Sequence, residues 1–164
     1  MNILFTELLY YLGINYQFNF DIILLVILLI LSGFISGSEV ALFSLSKTEI
    51  ESKSDLKSFK IITNLLEKPN KLLATILVAN NLINIAIVIL FTKLGEVLFS
   101  AIGSPLIKFF IEIVVATFLI LLFGEILPKI YASRNNISFS RIIAYPLSIL
   151  DIIFSPISLP MQKF

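Results

Sequence analysis

The fold of this 164-residue chain is decided by the stretch DIILLVILLILSGFISGSEVALFS at residues 21–44. Its first half is an unbroken aliphatic run, and its second half mixes serine, glycine and glutamate into apolar residues. A helix needs about 20 residues to cross the hydrocarbon core of a bilayer. The stretch therefore predicts a transmembrane helix that becomes polar part-way along its length.

Two further stretches, at about 70–92 and 105–127, are apolar over a similar length. With about 22–44 they predict three transmembrane helices. Between the first two, residues 46–68 place apolar side chains at roughly helical spacing among lysines and glutamates. This pattern predicts a cytoplasmic helical hairpin, most simply a solvated linker.

A fourth apolar stretch runs from about 142 to 159 and contains Pro146, Asp151 and Pro156. Because proline removes a helical hydrogen bond, a complete crossing would be strained. We expect a juxtamembrane helix at about 140–155, lying at the interface. The predicted fold is an all-α membrane protein with three transmembrane helices that contain helix breaks, a cytoplasmic hairpin and a juxtamembrane helix.

The composition limits the chemistry that the chain can perform. It is 58% hydrophobic with a mean hydropathy of +1.01, which predicts a lipid environment, and its net charge of +1 argues against nucleic acid as a partner. The absence of Cys and His excludes disulfides, thiol nucleophiles and imidazole bases. We predict no enzymatic activity, and any ligand chemistry must use oxygen.

Basic residues are distributed unevenly between the loops. The first is Lys47, and five more lysines follow up to Lys71, whereas the loop from about 95 to 104 holds Glu96 and no basic residue. By the positive-inside rule the N-terminus is outside and the C-terminus is cytoplasmic. We expect a multi-pass protein of the inner (plasma) membrane, with residues 1–20 as an extracellular segment.

The first polar motif is Ser32-Gly-Phe-Ile-Ser36-Gly37-Ser38-Glu39. Ser32 and Ser36 share one helix face, and Ser32 lies about 16 Å below Asp21, near mid-membrane. Gly33 and Gly37 predict a helix break, which transporters use to bind ions. Two structural alternatives stay open: a capping box at Ser36-x-x-Glu39, and a small-residue surface for helix packing.

The second motif holds three amides, Asn80, Asn81 and Asn84. Asn80 and Asn84 share a face, and Asn80 lies about 15 Å from the start of its span, at the depth of Ser32 approached from the opposite side. The alternative role for these amides is hydrogen bonding that joins helices.

The third motif is Gly124-Glu125-Ile-Leu-Pro128-Lys129. A glutamate inside a membrane usually marks an ion path, and Pro128 leaves the Gly124 carbonyl without its helical donor. Glu125 can instead lie at the cytoplasmic interface, paired with Lys129. It reaches the depth of the other motifs only if the span begins late or bends.

Together the motifs supply hydroxyl, amide, carboxylate and backbone oxygens, the ligands that hard cations such as Mg²⁺ and Na⁺ prefer. Three motifs in this order resemble the transmembrane domain of the CorC/CorB and CNNM (cyclin M) magnesium transporters, over residues 21–160. Position 79 is Ala where that family usually has Gly.

The resemblance implies a homodimer that exports Mg²⁺, driven by Na⁺ entry. It implies a metal site of Ser32, Ser36, Asn80 and Glu125, to which the Gly124 carbonyl is added. Secondary or gating roles then fall to Gly33, Gly37, Glu39, Asn84 and Pro128.

Members of that family continue into CBS domains that bind ATP, so residues 161–164 would begin the linker to them and ATP would act only through those domains. The alternative function is a membrane-anchored regulatory or envelope-assembly module without transport activity.

Overall fold

The computed structural model describes residues 3–156 of the chain, with side chains from Tyr16 onward. The secondary structure of this part consists of helices that are joined by short turns. The helices are α1 (Ile3–Phe43), α2 (Lys47–Glu51), α3 (Lys57–Leu66), α4 (Pro69–Leu98), α5 (Pro105–Leu119), α6 (Leu127–Arg134) and α7 (Asn136–Ile153). A π-helical segment, Ile120–Ile126, joins α5 to α6.

Within the described residues, four helices are long and apolar enough to cross a membrane: Tyr16–Phe43, Pro69–Leu98, Pro105–Arg134 and Asn136–Ile153. The first three confirm the predicted spans, although the third extends well beyond residue 127. The fourth is α7, which contains Pro146 and begins four residues before the expected juxtamembrane helix. The chain is a multi-pass helical membrane protein.

The helix break predicted in the first span is wrong, because α1 continues through Ser32–Glu39 to Phe43. Its glycines allow close packing instead. A Cβ on Gly33 would lie 2.7 Å from Pro128 Cγ, and one on Gly37 would lie 2.7 Å from the ring of Phe139. The glycines let the third span and α7 approach the α1 backbone.

The capping box considered at Ser36-x-x-Glu39 is not formed, because α1 continues through these residues, and a different capping box is present. It occurs at the start of α2, where the Ser46 backbone N–H donates to the Glu49 carboxylate at 2.7 Å and the Glu49 N–H donates to Ser46 Oγ at 3.2 Å. The bonds from Ser46 lower the pKa of Glu49. The same S-x-x-E spacing is present at Ser46 in the sequence.

Residues 46–68 are not the solvated linker that was predicted. Phe59 and Ile62 on α3 are fully buried, and they pack with Leu147 of α7 in one hydrophobic cluster. The sequence pattern did not reveal this burial. The apolar face of an amphipathic helix can pack against other helices while its charged face stays exposed.

Two hydrophobic clusters lie at different levels of the bundle. One joins α1, α3, α4, α6 and α7 and includes Leu42 and Leu72; the other includes Leu25, Ile87 and Phe91. Ser32 of the first motif and the three asparagines of the second lie between these levels along α1 and α4. A polar layer therefore separates two apolar ones.

The predicted extracellular segment is helical from Ile3 and continuous with the first span. The predicted linker at 161–164 and the end of the fourth stretch, beyond residue 156, lie outside the described residues. The domain limits of 1–20, 21–160 and 161–164 stay predictions.

Candidate cation site

A cavity of about 230 Å³ lies between α1, α4 and the third span. Its polar lining comes from all three: Ser36 and Glu39 of α1, amides of α4, and Glu125 and Lys129 of the third span. The full lining is Ser36, Glu39, Leu73, Ile76, Leu77, Asn80, Asn81, Glu125 and Lys129. Two carboxylates and one ammonium give this lining a net charge of −1.

Ser36 presents an unsatisfied hydroxyl to the cavity. The residue is 2% exposed, and its buried Oγ has no hydrogen-bond partner among the described residues. Buried polar atoms are almost always paired, because an unpaired one costs about 1–3 kcal/mol. The Ser36 hydroxyl is therefore a candidate to bind a ligand in the cavity.

Ser32 lies one turn away and is fully buried. Its Oγ is 3.0 Å from Asn80 Oδ1 and 2.8 Å from Asn84 Oδ1, and it donates to these oxygens. One hydroxyl carries one proton, so it serves one of the two amides at a time. The other amide oxygen is left to accept from elsewhere.

Glu125 lies within the π-helical segment, nine residues before the end of the helix at Arg134. In that segment the Leu127 N–H donates to the Leu122 carbonyl, five residues back. The π-helical turn changes the direction in which following side chains point, and such turns are frequent at functional sites. The Glu125 carboxylate makes no hydrogen bond or ion pair with the side chains or backbone of residues 16–156 that the structure describes.

Gly124 brings the third span against α1. A Cβ at this position would lie 2.8 Å from Ser32 Oγ, which is closer than van der Waals contact allows. The glycine therefore lets the turn that carries Glu125 pack directly on the serine motif. The absence of an N–H on Pro128 predicts a free Gly124 carbonyl, and this stays a prediction.

Lys129 pairs with a different carboxylate from the one that its sequence spacing indicates. Its Nζ is 3.3 Å from Glu39 Oε2 of α1, and both side chains are about two-fifths exposed, at 40% and 42%. The i,i+4 pairing with Glu125 is not formed. Glu39 and Lys129 thus close the more exposed end of the cavity, and Glu125 is left unpaired.

The structure brings together four of the predicted residues, Ser36, Glu39, Asn80 and Glu125, around one cavity. Ser32 does not line this cavity, and its hydroxyl bonds to the amide oxygens of Asn80 and Asn84. The remaining predicted residues, Gly33, Gly37, Gly124 and Pro128, shape the contact between α1 and the third span. Metal binding by any of these residues stays a prediction.

Sequence reasoning missed a second polar cluster, which joins α4 to α7. Lys71 Nζ lies 2.6 Å from Asp151 Oδ2, and the Thr75 hydroxyl donates to Asp151 Oδ1 at 3.2 Å. The signal was present, since an aspartate inside an apolar stretch requires a cation. The spacing of 80 residues gave no means of choosing that cation.

Carboxylates toward the α4–α5 turn were also missed. Asp21 lies 2.7 Å from Lys93, and the buried Glu112 lies against Gly95, where a Cβ would overlap its carboxylate. Neither group lines the cavity.

The helices define a multi-pass membrane protein with a polar cavity between its spans. Residues 23–164 match the family described as the cyclin M transmembrane N-terminal domain, CNNM. The chain belongs to this family, and the predicted resemblance is confirmed.

Curated relatives agree with that assignment. A UPF0053 protein of Haemophilus influenzae is 37% identical over 144 residues, covering 87% of this chain and 33% of the relative. The UPF0053 inner membrane protein YfjD of Escherichia coli is 34% identical, over 73% of this chain and 26% of the relative. Metal transporter cnnm-4 of Caenorhabditis elegans is 30% identical, over 84% and 30%. The chain therefore spans a third or less of these relatives.

Proposed function

We propose that this chain is the membrane module of a metal transporter and that its cargo is Mg²⁺. One observation carries the proposal: the buried Ser36 hydroxyl and the Glu125 carboxylate, both without a partner among the described residues, face the same cavity. The name of the nematode relative, a metal transporter, supports a metal as cargo.

The donor set fits a hard divalent cation. Ser36, Asn80 and Glu125 supply a hydroxyl, an amide oxygen and a carboxylate, and Mg²⁺ prefers oxygen ligands and keeps several of its waters. A cavity of about 230 Å³ has room for several waters at about 30 Å³ each. In this arrangement Ser32 orients Asn80, and the Gly124 carbonyl is a further ligand.

The charge of the site suits transport better than storage. With Glu39 paired to Lys129, only Glu125 supplies uncompensated charge. A single carboxylate leaves a divalent ion under-neutralised, so binding is weak enough for release. Transient occupancy is what a transporter requires.

The remaining parts of the proposal rest on family membership. They are Mg²⁺ efflux driven by Na⁺ entry, a homodimer in the lipid bilayer, and control by ATP through CBS domains outside this chain. We place the protein in the inner (plasma) membrane with its C-terminus in the cytoplasm, and the name of the Escherichia coli relative supports that membrane.

The test is Mg²⁺ efflux from proteoliposomes loaded with Mg²⁺ and a fluorescent indicator. Glu125→Gln keeps the shape of the side chain and removes its charge, so we expect efflux to fall about 100-fold or more. Glu67→Gln removes an exposed carboxylate beyond the end of α3 and should leave efflux unchanged. Equal efflux from both variants would refute the proposal.

A non-transporting assembly module is the second candidate, and the hydrogen bonds from Ser32 to Asn80 and Asn84 favour it, since they join helices. Under this view Asn80→Ala lowers the melting temperature of the purified protein, and added Mg²⁺ does not raise it. Under the transport view, Mg²⁺ raises the melting temperature of the native protein and not that of Glu125→Gln.

A further inference from the structure

Lys129 is an unexpected residue to find in a cation cavity. A fixed positive charge beside the unpaired Glu125 repels the ion that Glu125 attracts, and it lowers the affinity of the site. Its ammonium lies 3.3 Å from Glu39, and both residues line the cavity together with Glu125. Two carboxylates, those of Glu39 and Glu125, line the cavity with Lys129, and its ammonium pairs with Glu39.

The Glu39–Lys129 pair is poorly suited to stabilising the fold. Both side chains are about two-fifths exposed, so the protein does not enclose the pair, and no further donor among the described residues supports it. By contrast, the Lys71–Asp151 pair is 11% and 17% exposed and includes a second donor, Thr75. A pair that costs little to open fits a moving part better than a structural one.

Lys129 is also placed to reach Glu125. Both residues line the same cavity, together with Glu39. A lysine side chain carries its charge on a flexible four-carbon stem. The ammonium can therefore exchange between two carboxylates that line the same cavity by rotation of the lysine side chain.

We propose that Lys129 is a tethered counter-cation of the cavity. With a cation bound, Glu39 holds the Lys129 ammonium at the exposed end of the cavity; as the cation leaves, the ammonium moves to Glu125 and blocks rebinding. This inference rests on the proposed function, because it assumes that Glu125 binds the transported ion. It assigns the last residue of the third motif to release of the ion.

The charge arithmetic supports such an exchange. Glu39 and Glu125 each contribute a charge of −1 and Lys129 contributes +1, so the lining of the cavity has a net charge of −1. When the ammonium pairs with Glu125, the unpaired carboxylate becomes Glu39, whose side chain is 42% exposed. The cavity thus avoids holding an isolated, uncompensated carboxylate inside the membrane, which is costly.

The test measures the Mg²⁺ dissociation constant of the purified chain by calorimetry at constant ionic strength. Lys129→Gln should bind Mg²⁺ about tenfold more tightly, and Glu39→Gln about tenfold more weakly, since it frees the ammonium to compete at Glu125. Lys60→Gln removes an exposed lysine of α3 and should leave the constant unchanged. A shift in the same direction for both cavity variants would overturn the proposal, because a merely structural pair loses the same contact either way.

A double variant distinguishes a moving ammonium from a fixed one. A fixed charge makes Lys129→Gln equally effective in the native and Glu39→Gln backgrounds. A competing ammonium makes it several-fold more effective in the Glu39→Gln background, where Glu39 no longer holds Lys129. Equal effects in the two backgrounds would overturn the proposal.

A second measurement uses the single variant alone. Release of Mg²⁺ into excess chelator, followed by stopped flow, should be about tenfold slower in Lys129→Gln, and an unchanged rate would contradict the inference. The outcomes separate the two proposals. If Glu125→Gln still binds Mg²⁺, the proposed function fails; if it loses binding and Lys129→Gln behaves as native, only the counter-cation fails.

Discussion

Asp151 and Glu125 are both carboxylates in apolar helices, and their surroundings differ completely. Asp151 accepts from Lys71 at 2.6 Å and from Thr75 at 3.2 Å. Glu125 has no such partner in the described part of the chain and faces a polar cavity. The first is a completed ion pair between two helices, and the second is an incomplete one.

The difference separates a structural role from a binding role. Asp151 is largely enclosed, paired and hydrogen-bonded, and it links α7 to α4. A carboxylate without a partner is costly at this depth unless something else completes it. Glu125 shares its cavity with the unpaired Ser36 hydroxyl, and the two together support the proposed binding of a ligand.

The largest expected effect on stability comes from breaking the completed pair. Asp151→Ala leaves the Lys71 ammonium nearly buried without a counter-charge, so we expect a loss of about 3 kcal/mol in the free energy of unfolding. Denaturation by SDS in mixed micelles, followed by circular dichroism, measures it. Replacing both partners, as Lys71→Met with Asp151→Leu, should recover most of the loss; a double variant as unstable as the single would contradict this account.

A smaller effect is expected where the third span packs on the serine motif. Gly124→Ala places a Cβ 2.8 Å from Ser32 Oγ, and relief of that overlap should cost about 2 kcal/mol. The displaced Ser32 would also lose its hold on Asn80, so Mg²⁺ affinity should fall. Gly103→Ala, which meets nothing within 4 Å, is the matched control, and melting temperatures of the two variants compare them directly. Equal behaviour would show that the contact at Gly124 is unimportant.

The smallest expected effect on stability comes from alanine substitutions at two serines, which compare a binding role with a structural one. Ser36 and Ser140 are both buried and unpaired within the described residues, and only Ser36 lines the cavity. Alanine at either position removes an unsatisfied hydroxyl, so stability should change by less than about 1 kcal/mol. Mg²⁺ affinity, measured by calorimetry, should fall about tenfold for Ser36→Ala alone. A similar fall for Ser140→Ala would remove the case for Ser36 as a ligand.

Much of the candidate site was accessible from sequence. Ser36, Asn80 and Glu125 stand out because polar residues in apolar spans are rare, and depth counted along a helix placed Ser32 and Asn80 at one level. The depth of Glu125 was not accessible, because it depends on where the third span ends. That helix runs to Arg134 through a π-helical segment, and Glu125 lines the cavity, the second of the two placements that the sequence had left open.

The sequence by itself determined the spans, the oxygen-only chemistry and the three polar motifs. These are local properties, since a bilayer requires a long apolar helix and each polar exception to it is visible in the chain. The tertiary structure decided which partner each polar group takes. Lys129 pairs with Glu39 across helices and not with Glu125 along its own, and Lys71 meets Asp151 from 80 residues away. Such choices depend on distances between helices, which spacing along one helix cannot specify.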